Sequence, residues 1–257
     1  MMRFRSLGSG SGGNATLVEA GGLLPFRLLV DCGLGIRQLA VRLGQAGLQA
    51  EDIDAVFITH EHGDHIGCAH TLALRYRIPV WMSQGTHSAI GSPDFDGLLH
   101  IARDAKAIDM GGLQLMPFTV PHDAREPLQL SCTDGSSKLG ILTDLGHATP
   151  HVMAHLQACH ALLLESNHDT DLLDQSVYPP FLKRRVGGDY GHLSNMAAAA
   201  IANAVNHGGL KHVVAAHLSA KNNRPDLVQE VLSNALGCQP GDIVVAGPSS
   251  GTPWMQL

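Results

Sequence analysis

The sequence predicts a layered α/β or α+β fold, and three observations carry the prediction. Of 257 residues, 44% are hydrophobic and 16% charged, a balance that supports a buried core and excludes a disordered or solvating chain. Short apolar segments of strand length come in blocks and are followed by stretches with helical spacing, which favours packed layers over a helix bundle. No linker, composition break or internal repeat divides the chain, so residues 1–257 are expected to form one domain.

Residues 8–13 are glycine-rich but lie between two apparent strands, so they read as a turn rather than a flexible linker. Residues 15–20 and 26–31 are apolar strand candidates separated by Gly21-Gly22 and Pro25. Ile36, Leu39, Ala40 and Leu43 recur at helical spacing. Residues 55–59 form a short buried-strand pattern that runs directly into a histidine cluster. Further strands are expected over 79–82, 113–120, 128–132, 139–143 and 161–165. The second half adds helices over 193–206 and 225–236, flanking a strand at 212–216.

Sixteen histidines nearly match the seventeen lysines and arginines together. The formal charge of −6 speaks against coating of nucleic acid or membrane by bulk positive charge and still permits a local basic patch. Five cysteines, odd in number, far apart in sequence and without a C-x-x-C pair, fit reduced thiols of a cytoplasmic protein better than a disulfide framework. The first residues lack the apolar stretch of a secretory signal. No run approaches the roughly 18 apolar residues of a membrane span.

The strongest signal is Thr59-His60-Glu61-His62-Gly63-Asp64-His65. An extended segment puts His60 and His62 on one face, because its side chains alternate with period two. Asp64 and His65 follow where a helix is expected to start, with Asp64 suited to cap it. Imidazole and carboxylate together suit zinc, with manganese or iron as alternatives. A single four-ligand site remains open on the spacing alone.

H-x-H-x-D-H after a strand resembles the signature of the metallo-β-lactamase fold, a four-layer αββα sandwich, and other motifs follow in the family's order. Asp31, closing Leu28-Leu29-Val30, resembles the aspartate that supports the metal loop. His122 in Val120-Pro121-His122-Asp123-Ala124, Asp144 in Leu142-Thr143-Asp144-Leu145-Gly146, and His217 after Val213-Val214-Ala215-Ala216 resemble the remaining ligands. The resemblance implies two divalent ions: one on His60, His62 and His122, one on Asp64, His65 and His217, with Asp144 bridging. Two cations about 3.5–4 Å apart share a hydroxide, lower its pKa and neutralise the attacked group.

Gly191-His192-Leu193-Ser194-Asn195 before an alanine-rich helix is similar to the Gly-His-Ser-Thr segment of ribonuclease Z, with Leu193-Ser194 in place of Ser-Thr. The similarity implies that His192 stabilises the transition state or protonates a departing oxygen, beside a helix start whose N–H groups face phosphate. A closer resemblance is to the YycJ/WalJ-type, nuclease-like branch. It rests on residues 6–15, Glu165-Ser166-Asn167-His168-Asp169, residues 191–195, and His217-Leu218-Ser219-Ala220-Lys221-Asn222-Asn223. It implies a phosphodiesterase acting on nucleic acid, in the manner of a DNA 5′-exonuclease, with Asp64 and His192 in catalysis. His168, Ser194 and Asn195 are weaker candidates for support or substrate contact.

The stretch between Asp144 and His217 is too short for the domain that ribonuclease J-type enzymes insert there, and the first motif lacks the H-x-E-x-D of di-iron flavoprotein relatives. Lys183-Arg184-Arg185 is read either as a grip on a nucleic-acid backbone or as a solvated helix end. The turn at 8–14 is read either as packing or as a source of N–H groups for phosphate. The nine remaining histidines are expected to be ordinary, His147 among them. Hydrolysis of a lactone, thioester or β-lactam is the rival activity, and a non-catalytic metal-binding module the rival outside enzymology.

Overall fold

The computed structural model describes residues 1–22 and 24–257. The first sheet contains β1 (Met2–Gly8), β2 (Ala15–Ala20), β3 (Phe26–Val30), β4 (Ala55–Phe57), β5 (Val80–Met82) and β6 (Leu99–Ile101). The second contains β7 (Ile108–Asp109), β8 (Gln114–Thr119), β9 (Leu128–Thr133), β10 (Lys138–Leu142), β11 (Ala161–Glu165), β12 (His212–Ala216) and β13 (Val244–Val245). A last strand, β14 (Met255–Gln256), returns to pair with β1 at the edge of the first sheet. The strand orders are β14-β1-β2-β3-β4-β5-β6 and β13-β12-β11-β10-β9-β8-β7.

The helices are α1 (Ile36–Gln45), α2 (Gly63–Ile66), α3 (Ala69–Tyr76), α4 (Gln84–Ala89), α5 (Pro150–Leu156), α6 (Thr170–Gln175), α7 (Pro180–Val186), α8 (Asn195–Ala204) and α9 (Pro225–Leu236). Strand periodicity explains how the layers stack. In β4, Ala55 and Phe57 face the core between the sheets, while Val56 packs outward with Leu39 and Leu43 of α1 and Leu72 of α3. In β11, Ala161 and Leu163 face inward, while Leu162 and Leu164 pack with Ala198 and Ala202 of α8 and Val228 and Leu232 of α9. Both faces are covered, so these strands read as unbroken apolar runs. The result is the αββα sandwich.

In both sheets, the strands nearest the site run parallel: β3, β4, β5 and β6 in one, and β10, β11, β12 and β13 in the other. Chemistry concentrates where these strands end, a general property of parallel sheets. Asp31, Asp144 and His217 follow β3, β10 and β12, and each has a left-handed φ, of 60°, 56° and 53°. A residue other than glycine held there costs on the order of 1–3 kcal/mol. This bend ends β3 at Val30, one residue short of the expected 26–31. The helix expected from 193 starts at Asn195, because Ser194 is its N-cap and its hydroxyl accepts the Ala197 N–H at 3.2 Å. The short helices α3 and α5 lay outside the expectation, since His70, His151 and His155 dilute their apolar spacing.

All five cysteines are free thiols, as expected, but they are not all apart in space: Cys32 Sγ and Cys68 Sγ lie 3.3 Å from one another.

Candidate metal centre and cleft

The chain leaves β4 extended, and Thr59 begins the site. Asp31 accepts both the Thr59 N–H (2.9 Å) and its hydroxyl (3.0 Å). The other carboxylate oxygen of Asp31 meets His65 Nδ1 at 2.7 Å, leaving His65 Nε2 turned towards the centre. The Thr59 hydroxyl lies 3.0 Å from His60 Nδ1, and the Gly191 carbonyl lies 3.1 Å from His122 Nδ1. In each pair the far nitrogen of the ring is therefore oriented by a neighbour, the arrangement that prepares a histidine to ligate metal.

Three nitrogens then converge: His62 Nδ1 lies 3.0 Å from His60 Nε2 and 3.2 Å from His122 Nε2. A second group forms around Asp64, whose Oδ2 lies 3.4 Å from His217 Nε2 and 3.7 Å from His65 Nε2. Asp144 stands between the two groups. Its Oδ2 contacts His65 Nε2 and lies 3.5 Å from His60 Nε2, and its Oδ1 lies 2.6 Å from His217 Nδ1. All seven residues expected to ligate metal are thus brought together, in clusters whose ligand atoms lie within 4.8 Å of one another.

The donor set fits divalent cations. His217 Nε2 and Asp144 Oδ1 are buried without an aligned hydrogen bond, which is costly unless something else satisfies them. One imidazole nitrogen facing two others cannot hydrogen-bond both if all carry lone pairs, whereas a cation accepts all three.

The titration pattern points the same way. Burial, aided by the charge on His65, holds His60 well below the ordinary histidine value, and burial likewise lowers His122. Burial works against the charged form of His65 too, but Asp144 and Asp31 outweigh it and hold its pKa up at about 10. His217 is also raised, burial being overruled by Asp144. Asp144 itself, despite burial, is held well below the carboxylate range by His217 and His65. Protons therefore occupy this anionic field until a cation displaces them. Binding of a divalent ion at neutral pH is expected to release at least one proton per chain, readable by calorimetry in buffers of different ionisation enthalpy. Proton-neutral binding would contradict the arrangement. For stability the sign follows from the raised pKa values. The contribution of His65 to the metal-free fold is complete below about 6.5 and fades as the pH climbs through about 10. The thermal midpoint of the metal-free protein should fall across that window.

A residue outside the expected set completes the site. Glu165, at the end of β11, is fully buried. Its Oε1 lies 2.8 Å from His192 Nδ1 and 3.1 Å from His217 Nδ1, and its Oε2 accepts the N–H groups of Leu145 (3.0 Å) and Leu193 (3.1 Å). Burial opposes the charged forms of both partners, but Glu165 and Asp144 raise His192 to about 9, while His192 holds Glu165 below its ordinary value. Its sequence signals were an acid closing the run Ala161-Leu162-Leu163-Leu164 and its place at the head of Glu165-Ser166-Asn167-His168-Asp169, neither of which gave it a role. Asn14 was also missed as a site residue: its N–H donates to the Asp64 carbonyl at 2.8 Å, and its side-chain nitrogen lies 3.1 Å from His65 Nε2.

The neighbouring expectations separate. Asp64 lies inside the first turn of α2, whose N-cap is His62, so its carboxylate faces the cluster instead of capping the helix. The start of α8 does not present a free row of N–H groups. Asn195 donates to the His168 carbonyl (2.9 Å), Ala197 to the Ser194 hydroxyl, and Ala198 to the Ser194 carbonyl. Ser194 is thus a cap, and Asn195 exchanges hydrogen bonds with Asn223 in a buried amide pair, at 3.0 and 2.8 Å.

His168 is buried away from the clusters, with Nδ1 unpartnered, and lines a neighbouring hollow with Lys183 and Arg184. Part of the glycine turn is directed inward, Gly10 donating to Asn14 Oδ1 (2.9 Å) and Gly13 to the Gly10 carbonyl (2.9 Å), while Ser11 at its tip lines the cleft. The turn presses close to the metal loop. At Gly33 a Cβ would sit 1.7 Å from the Asp64 carbonyl oxygen, so only glycine fits.

The clusters open into a cleft of about 390 Å³ lined by Ser11, Asp64, Asp123, Arg185, His192 and His217, among others. Arg185 is held there by Asp123, Nε to Oδ2 at 2.7 Å. Among the described residues, no helix is long and apolar enough to cross a membrane.

A family model described as a β-lactamase superfamily domain matches residues 26–218. The chain is 34% identical over 240 residues to the exodeoxyribonuclease YycJ of Bacillus anthracis, covering 91% of this chain and 89% of that protein. It is 30% identical over 239 residues to the exodeoxyribonuclease WalJ of Streptococcus pneumoniae, covering 91% and 88%. Among solved structures, the metallo-β-lactamase fold protein YhfI of Bacillus subtilis aligns with a TM-score of 0.76 at 18% identity, over 98% of this chain and 100% of that one. That likeness speaks for the fold.

Proposed function

As a member of the β-lactamase superfamily, this chain is a metal-dependent hydrolase, and we propose that it is a phosphodiesterase that shortens DNA from a 5′ end. His60, His62 and His122 would hold one divalent ion, Asp64, His65 and His217 a second, and Asp144 would reach both. Imidazole with carboxylate suits zinc at each. When bound, such ions supply Lewis acidity, neutralising a phosphoryl oxygen and making water more acidic.

The chain's own residues do the rest. Asp64, one-quarter exposed at its side chain and lining the cleft, orients the attacking water and accepts its proton. His192 lines the same cleft, and its Nδ1 is taken by Glu165. Nε2 is therefore the atom left to protonate the departing oxygen of the nucleotide. Asp31, Thr59 and Gly191 keep the ligand rings oriented. Five free thiols suit a cytoplasmic place of action.

The observation that carries this assignment is the buried Glu165, 2.8 Å from His192 Nδ1, which leaves the other ring nitrogen of a cleft-lining histidine free to act on the substrate. A thioester, whose thiolate departs readily as an anion, has little need of an acid there. The test is metal-replete protein on end-labelled single- and double-stranded DNA, RNA, a lactone and a thioester. DNA shortened from its 5′ end is expected. Hydrolysis of the lactone or thioester with every phosphodiester left intact would overturn the assignment.

A further inference from the structure

Among the described residues, seven large apolar side chains stand mostly exposed, and four of them, Val177, Phe181, Tyr190 and Met196, fall within residues 177–196. The aromatic content of the chain is only 4%, and Phe4, Phe57, Phe95 and Phe118 are fully buried. Phe181 and Tyr190, at 66% and 63% exposure, are therefore out of keeping with how this chain otherwise spends its rings. Both adjoin the lining of the cleft in sequence: Phe181 immediately precedes Leu182, and Tyr190 precedes Gly191 and His192, all three of which line it.

The segment is held in shape. The Tyr190 carbonyl accepts the Asp123 N–H at 3.0 Å, and the His192 N–H donates to the Val186 carbonyl at 2.8 Å. A Cβ at Gly146 would sit 2.0 Å from the Asp189 carbonyl, and one at Gly191 would sit 2.1 Å from the Arg185 carbonyl, so glycine at both positions lets the backbones close. The exposed rings are thus presented by an ordered backbone. Cations are interleaved with them. Arg185 is tied to Asp123, while Lys183 and Arg184 line the adjoining hollow with His168.

We propose that residues 177–192 form a strand-capture wall in which Phe181 and Tyr190 stack on unpaired bases and Lys183 and Arg184 take backbone phosphates. The proposal rests on the nuclease assignment and adds the form of the substrate. A base in a duplex hides its faces against its neighbours, whereas an unpaired base offers them. Aromatic platforms beside a cationic edge are how sequence-indifferent single-strand binding is built. The continuity of this wall with the lining of the cleft commits it to the strand being cut.

The test uses the metal-loaded protein and short single strands with slowly cleaved phosphorothioate linkages, either carrying bases or abasic throughout. The wild type should bind the base-bearing strand about tenfold or more tightly than the abasic one, since stacking is worth about 1–3 kcal/mol per base. In the double variant Phe181→Ala/Tyr190→Ala that preference should collapse towards one at an unchanged thermal midpoint. Phe181→Tyr/Tyr190→Phe should keep it. Equal affinity of the wild type for both strands, or a preference that survives loss of both rings, overturns the wall. If DNA is still shortened, the nuclease assignment stands without it. If the wild type neither binds nor shortens any oligonucleotide, the nuclease assignment falls first.

Discussion

Replacing His192 by alanine should slow cleavage of a nucleotide phosphodiester by about 10²–10⁴-fold, the range of a positioned general acid. Hydrolysis of a bis(p-nitrophenyl) phosphodiester should fall far less. A nucleoside oxygen departs as a strongly basic alkoxide unless it is protonated, whereas p-nitrophenolate leaves as a stable anion. His192 lines the cleft outside the converging triad of His60, His62 and His122, in a separate group with Asp144, Glu165 and His217. Its loss therefore removes a proton donor and spares the triad. Steady-state rates on both substrates, with metal content measured for each preparation, decide the matter. Equal losses on the two leaving groups would place His192 in metal binding or structure instead.

Glu165→Gln should cost about 10–100-fold in activity, the usual toll for disturbing the partner of a functional histidine. It should also move the alkaline limb of the pH–rate profile to lower pH. The sign is set by what opposes what. Burial disfavours the charged His192, and the Glu165 and Asp144 anions overrule it to hold the pKa at about 9. Removing one anion lets burial regain ground, so the proton is lost earlier as pH rises.

Stability should fall as well. Glu165 accepts from two backbone N–H groups and faces two imidazole nitrogens, and an amide offers one oxygen where four neighbours need acceptors. Breaking a buried charged network of this kind typically costs about 3–5 kcal/mol. Thermal melts and pH profiles of the variant check both effects. An unmoved alkaline limb would detach Glu165 from the His192 proton.

The ligand set was legible because its core is local. Four of its members lie within Thr59-His60-Glu61-His62-Gly63-Asp64-His65, and their spacing already implies a shared cation. His122, Asp144 and His217 were legible through their resemblance to family motifs at strand ends. Most strands were legible from unbroken apolar runs, a consequence of being covered on both faces. Ser194 and Asn195 were drawn towards the cleft by their place in a motif. Backbone geometry instead makes one a helix cap and the other half of an amide pair with Asn223.

Taken alone, then, the sequence determined the layered class and the local cluster of His60, His62, Asp64 and His65 suited to a cation, while resemblance to family motifs supplied His122, Asp144 and His217. Period-two patterning and short-range spacing are properties of consecutive residues. Tertiary structure alone placed Glu165 against His192 Nδ1, because the two strand ends and the loop it joins meet only when the second sheet is assembled. It decided too that Asp31, Asp144 and His217 would turn into the centre through left-handed bends. The exposure of Phe181 and Tyr190 beside the cleft was likewise settled there. An aromatic residue reads the same in a sequence whether packing buries its ring or leaves it facing the solvent.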